Sequence, residues 1–124
     1  MNIHISTDHN IEGSAELNNY IKENLSATLE RFKNHITRIE VHLSDENGGK
    51  SGGMDKRCLM EARLAHHNPI IIHHNANGIH EVIHESASKL LRSIIHTIDK
   101  ATVKTGLNGF NIQEEEEDNQ DSET

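Results

Sequence analysis

The sequence predicts an α+β domain with two layers, in which a four-stranded sheet carries both helices on one face. The chain has 124 residues, which is enough for one hydrophobic core but not for two. Two short segments, residues 2–6 and 36–43, alternate apolar and polar residues, as strands with one buried face do, and two further strands are predicted as a hairpin. Two longer segments place their apolar residues on a stripe with the period of a helix. The predicted order is β-α-β-β-β-α, and both apolar stripes need a sheet face to cover them.

The first half of the chain holds a strand, a helix and a second strand. Alternation over residues 2–6 predicts the first strand. A helix is predicted from Ser14 to Phe32, with Gly13 or Ser14 as its cap. Its apolar stripe consists of Leu17, Tyr20, Ile21, Leu25, Leu29 and Phe32. Alternation resumes over residues 36–43 and predicts the second strand.

The second half adds two strands and a longer helix. Residues 57–64 and 69–75 predict strands joined by a hairpin, so strands two to four are expected to form an antiparallel meander. A helix is predicted over residues 79–104, with Gly106 where a C-terminal cap belongs. The glycine-rich segment 48–53 predicts a loop, and its spacing is not that of a phosphate-binding loop.

The net charge of −8 is concentrated at the C-terminal end of the sequence. Residues 113–124 carry seven acidic side chains and no basic one. We therefore expect a nearly neutral domain at 1–106, followed by an acidic, disordered tail at 107–124. The tail is interpreted either as a solubilising appendage or as a competitor for the basic surface of the domain.

Several classes of protein are not expected from this sequence. No segment has the roughly 18 apolar residues of a membrane span, and the N-terminus is not typical of a signal peptide. The single cysteine, Cys58, has no partner for an internal disulfide and is expected to be buried. We therefore expect a cytoplasmic protein with no membrane partner, no small-molecule substrate and no cofactor. No catalytic arrangement of side chains is apparent, so the chain is not expected to be an enzyme.

The eleven histidines raise a metal hypothesis. Residues 80–84 read His-Glu-Val-Ile-His, a formal match to the helix motif of zinc hydrolases with Glu81 as the general base. However, His80 and His84 flank the buried stripe, and a third ligand would have to come from elsewhere. We therefore predict no metal ligands. A histidine-dependent metal-binding or protein-interaction module remains the alternative function.

The second helix has the most informative charged surface. Lys89, Arg92, His96, Lys100 and Lys104 fall within about 120° of one another, roughly opposite the apolar stripe. Such a basic stripe can follow a phosphate backbone and release its counterions, but it is also typical of an ordinary solvated face. Only three residues are aromatic, so stacking on bases is not expected.

Six strings have an order and spacing that match a known family. They are Met1-Asn2-Ile3-His4-Ile5, Asn10-Ile11-Glu12, Leu17-x-x-Tyr20-Ile21, Leu29-Glu30-Arg31-Phe32, Ile39-x-Val41-x-Leu43 and Lys89-Leu90-x-Arg92. Through these strings, residues 1–105 resemble the short forms of the ribosome hibernation promoting factors, also called ribosome-associated translation inhibitors.

The resemblance implies the β-α-β-β-β-α fold and a non-enzymatic function. It implies binding to the small ribosomal subunit in the channel of mRNA and tRNA, and inhibition of translation during stress or stationary phase. The family's second helix meets phosphates of ribosomal RNA with basic residues, which correspond here to Lys89, Arg92 and Lys100. Lys104 and Arg31 join this predicted RNA-binding set on charge placement alone. The dimerisation domain of the long family members is not expected.

The first helix departs from the pattern of the family. Asn24, Ala27 and Thr28 occupy a stretch where family members usually carry several lysines. With fewer basic residues we expect fewer phosphate contacts.

Overall fold

Six regular elements follow one another in the predicted order. They are β1 (Asn2–Thr7), α1 (Ala15–Thr28), β2 (Ile36–Asp45), β3 (Lys56–Leu64), β4 (Ile70–Ala76) and α2 (Ile79–Gly106), with a 3₁₀ turn at Glu30–Phe32 after α1. The structure is a computed structural model that describes residues 1–11, 13–46 and 55–106, with side chains up to residue 100. The predicted glycine-rich loop at 48–53 and the predicted tail at 107–124 lie outside these residues.

The four strands form one mixed sheet in the order β1-β2-β3-β4. β1 runs parallel to β2, because α1 connects them as a crossover, and the other neighbours are antiparallel. The expected meander of strands two to four is therefore confirmed. One row of paired residues across the sheet consists of Ile5, Val41, Met60 and Ile72.

The described residues bury one face of the sheet. On that face, β2 and β3 bury Val41, Leu43, Cys58 and Met60. α1 buries Ile21 and Leu25, and the first turns of α2 bury Val82, Ile83 and Leu90. Ser86 of α2 interacts with Cys58 of β3, and the ring of Tyr20 in α1 lies 4.3 Å from the ring of His80 in α2. The opposite face of the sheet, which we call the open face, carries mainly polar side chains.

The chain divides into two compact units, Met1–Leu90 and Leu91–Thr124. The first unit contains the whole sheet, α1 and the beginning of α2, and the second contains the rest of α2. The predicted domain boundary near residue 106 stays a prediction. No helix among the described residues has both the length and the apolar content needed to cross a bilayer.

Several element boundaries differ from the predicted ones, and three of the differences have identifiable reasons. α1 ends at Thr28, and a tighter 3₁₀ turn then buries Phe32. β2 extends to Asp45, whose buried carboxylate lies 3.5 Å from the ammonium of Lys56 on β3. β4 begins one residue after Pro69, because proline has no N–H for the ladder of hydrogen bonds.

Ser14 is the residue that caps α1. Its backbone is extended, and its hydroxyl accepts a hydrogen bond from the N–H of Leu17 at 3.0 Å. We expect Ser14→Ala to lower the free energy of unfolding by about 1 kcal/mol, because one N–H of the first turn loses its acceptor. Urea denaturation measures this loss. Ser14→Asp retains an acceptor and should stay close to wild type. Equal losses in both variants would contradict the capping role.

Candidate nucleic-acid interface

Among the basic residues of the predicted stripe on α2 whose side chains the structure describes, Arg92 and Lys100 are exposed. They are eight residues apart, which places them about 12 Å apart along the helix axis. Within the part of the chain that the structure describes, neither side chain has an ion-pair partner. Both side chains are therefore accessible at the surface, and their contact with RNA stays a prediction.

Lys89 has a different environment from the one expected. Its side chain is half-buried, and its ammonium donates a hydrogen bond to the backbone carbonyl of His73 on β4 at 3.0 Å. Beside it, His74 Nε2 lies 2.8 Å from the carboxylate of Glu85. Lys89 therefore lies on the flank of α2 that faces β4, rather than opposite the apolar stripe. The helical period could not show this, since it does not say which strand passes beside the helix.

Arg31 and Lys104 are the other two predicted RNA-binding residues. Arg31 is exposed on the turn after α1, with its guanidinium carbon 4.7 Å from the centre of the Phe32 ring. This cation–π contact holds the guanidinium at the surface. Arg31 packs on Phe32, whereas Lys89 is hydrogen-bonded to β4, so the positive charges of Arg31 and Lys89 have different surroundings. The backbone of Lys104 belongs to α2, and its side chain lies outside the described residues.

The zinc-hydrolase string on α2 takes part in a contact between helices. The ring of His80 meets the ring of Tyr20 edge-on, and the Tyr20 hydroxyl donates to the backbone carbonyl of His80 at 3.5 Å. Glu81 and His84 are exposed to solvent. Among the described residues, no three potential ligands converge on a point where an ion could be held. The geometry therefore gives no support to the metal-binding version of the alternative function.

Cys58 is fully buried in the core, as expected. Burial raises the pKa of its thiol to about 11, and the side chain of Ser86 acts in the opposite direction. A thiol in this environment stays protonated at neutral pH and is a poor nucleophile. The residue is therefore a core side chain.

Cys58 makes the stability of the fold depend on pH in the alkaline range. The folded chain holds this proton more tightly than the unfolded chain, so stability should fall as the pH rises from about 9 to about 11. The loss should reach about 2–3 kcal/mol. Because Lys56 also has a raised pKa and loses its contribution at high pH, the test compares wild type with Cys58→Ala. Identical pH profiles of the two proteins in urea denaturation would contradict the prediction.

The open face carries charges that the sequence reasoning missed. Arg38 on β2 lies directly opposite Arg63 on β3, and Glu40 lies directly opposite Glu61. We call these two pairs the arginine row and the glutamate row. Along each strand the signs alternate, with Arg38 2.6 Å from Glu40 and Arg63 3.3 Å from Glu61. The sequence shows the alternation within a strand, but only the register brings like charges side by side.

Comparisons with known proteins give a consistent family and fold. A family model described as "Sigma 54 modulation protein / S30EA ribosomal protein" matches residues 3–102. The crystal structure of the N-terminal domain of Protein Y from Thermus thermophilus has a TM-score of 0.62 and 18% identity, covering 76% of this chain and 96% of that chain. A ribosomal subunit interface protein from Coxiella burnetii has a TM-score of 0.63 and 14% identity, covering 82% of this chain and 99% of that chain. At such identities, the likeness of these structures concerns the fold alone. No curated protein matches the sequence.

Proposed function

This chain belongs to the family described as Sigma 54 modulation protein / S30EA ribosomal protein, and from that premise we propose that it binds the small ribosomal subunit and inhibits translation. The site is the channel of mRNA and tRNA, and the inhibition operates during stress or stationary phase in the cytosol. The family is one of ribosome-associated factors. The action is steric occlusion, which requires no catalytic residue, metal or cofactor.

The exposed pair Arg92 and Lys100 is the observation that carries this proposal. Both bases are exposed on α2 and have no ion-pair partner in the described part of the chain. Each base that replaces a counterion on a phosphate adds to affinity without reading sequence. This contact suits ribosomal RNA, in which phosphates are presented along a structured surface.

The other residues of the predicted RNA-binding set are expected to contribute to different extents. Lys89 contributes a positive charge from the flank of α2, although its ammonium is already hydrogen-bonded to His73. Arg31 adds a separate charge beyond α1. Recognition relies on phosphates rather than on stacking, because Tyr20 and Phe32, two of the three aromatic residues, pack against His80 and His35.

Co-sedimentation with purified ribosomal subunits tests the proposal. We expect the protein to pellet with small subunits and not with large ones, more at about 50 mM than at about 200 mM salt. Small subunits loaded with mRNA and tRNA should bind less protein, because the channel is then occupied. Equal binding to loaded and empty subunits would contradict the channel as the site, and no pelleting at low salt would contradict ribosome binding.

A further inference from the structure

We propose that the open face of the sheet is a surface through which two copies of this chain associate. The arginine row and the glutamate row of that face carry the argument. The proposal does not depend on ribosome binding, since none of the four side chains in these rows belongs to the predicted RNA-binding set.

The two rows are an unfavourable arrangement for an isolated sheet. Like charges directly opposite one another on neighbouring strands lower the stability of the pair, whereas opposite charges raise it. Here β2 and β3 place Arg38 beside Arg63 and Glu40 beside Glu61. The pairs along each strand offset part of this cost, but all four side chains retain exposed surface, from 20% for Glu61 to 52% for Arg63. The rows therefore present two adjacent lines of opposite charge to solvent.

A second copy of the same face matches both lines at once. Two copies can face each other across a two-fold axis that lies between the two sheets, parallel to the rows and midway between them. This rotation places the arginine row of each copy over the glutamate row of the other. Symmetric interfaces of this kind are self-complementary by construction. A polyanion would match the arginine row and be repelled by the glutamate row, so it fits the face less well than a second copy does.

Two apolar side chains add area to the same face. Leu59 on β3 is half-buried, and Ile71 on β4 is 59% exposed. Among the described residues, the other exposed large hydrophobic side chain is Met1, which is 39% exposed. Ile71 lies opposite Glu61, so it belongs to the surface that the rows define. Four strands about 4.8 Å apart give a flat footprint of about 400 Å² in each copy. An interface of that size is characteristic of weak, transient association.

Sedimentation velocity at increasing concentration tests the self-association. Wild type should form dimers in the range of about 10 μM to about 1 mM, and less so as salt rises and screens the rows. Arg38→Glu with Arg63→Glu makes the face negative, and Glu40→Arg with Glu61→Arg makes it positive. Each double variant alone should associate at least about tenfold more weakly, and an equimolar mixture of the two should recover a dimer.

The control is a change of equal charge away from the open face. Lys22→Glu with Lys33→Glu alters two exposed residues of α1 and the turn after it, and should leave the dimer unchanged. Circular dichroism establishes that each variant folds, and the milder pair Arg38→Gln with Arg63→Gln replaces a variant that does not. A monomeric wild type throughout the concentration range, or a folded mixture that fails to associate, would overturn the proposal.

Discussion

Reversing the charges of Arg92 and Lys100 together, as Arg92→Glu with Lys100→Glu, is expected to weaken binding to the small ribosomal subunit by about 100-fold or more. In the proposed complex each side chain would lose a charge-assisted hydrogen bond to a phosphate, and each new carboxylate would be repelled by that phosphate. Both are exposed and have no ion-pair partner in the described part of the chain, so the fold should be little affected. A binding titration by co-sedimentation measures the loss.

The dependence on salt distinguishes phosphate contacts from other effects of the double variant. Two lost contacts should reduce the slope of log affinity against log salt by about 1.4 to 1.8. Lys22→Glu with Lys33→Glu carries the same change in net charge on the first helix and the turn after it, and should weaken binding far less. Equal losses in the two double variants would mean that net charge alone attracts the protein, and that α2 is not the contact surface.

Leu25→Ala is expected to lower the free energy of unfolding by about 2–5 kcal/mol, the largest effect that we expect on stability. Leu25 is completely buried in the stripe of α1 that packs on the core. Its truncation removes apolar contacts and leaves a cavity that the neighbouring side chains fill only partly. For a domain of this size, such a loss is a large fraction of the total stability.

The matched control for Leu25→Ala is its neighbour in the sequence. Ser26 is exposed on α1, so Ser26→Ala should change the free energy of unfolding by less than about 0.5 kcal/mol. Urea denaturation of both variants gives the comparison. A loss below about 1 kcal/mol for Leu25→Ala would contradict the placement of this side chain at the centre of the core.

Hydrophobic periodicity predicts the elements and the core of this fold but not the register of its strands. The stripe of α1 and the alternation in β2 depend on local spacing, and Leu25 and Val41 are buried accordingly. The pairing of β2 with β3 shifts by one residue between Ile36 and Arg38, a β-bulge that places Ile36 and Ile39 on the same buried face. In a regular strand, residues three apart lie on opposite faces. The apolar residues at positions 36 and 39 are therefore the feature of the sequence that indicates a bulge.

The helical period of α2 predicts which basic residues of the candidate interface are exposed, but it does not predict their contacts with other elements. Arg92 and Lys100 are exposed on α2 as expected, because their positions relative to the apolar stripe follow from sequence alone. The environment of Lys89 depends on where β4 runs, and the two charge rows depend on the pairing of β2 with β3. These are contacts between distant segments, which local patterns do not encode.

The hydrogen bond from Lys89 to His73 has a consequence for how the protein behaves at high concentration. β4 is the last strand of the sheet, so one side of its backbone has no neighbouring strand to satisfy its donors and acceptors. Such an edge can recruit strands from other chains and begin aggregation. Lys89 occupies one of the acceptors of β4 and places a positive charge beside it. We therefore expect Lys89 to make this edge less accessible to a strand from another chain.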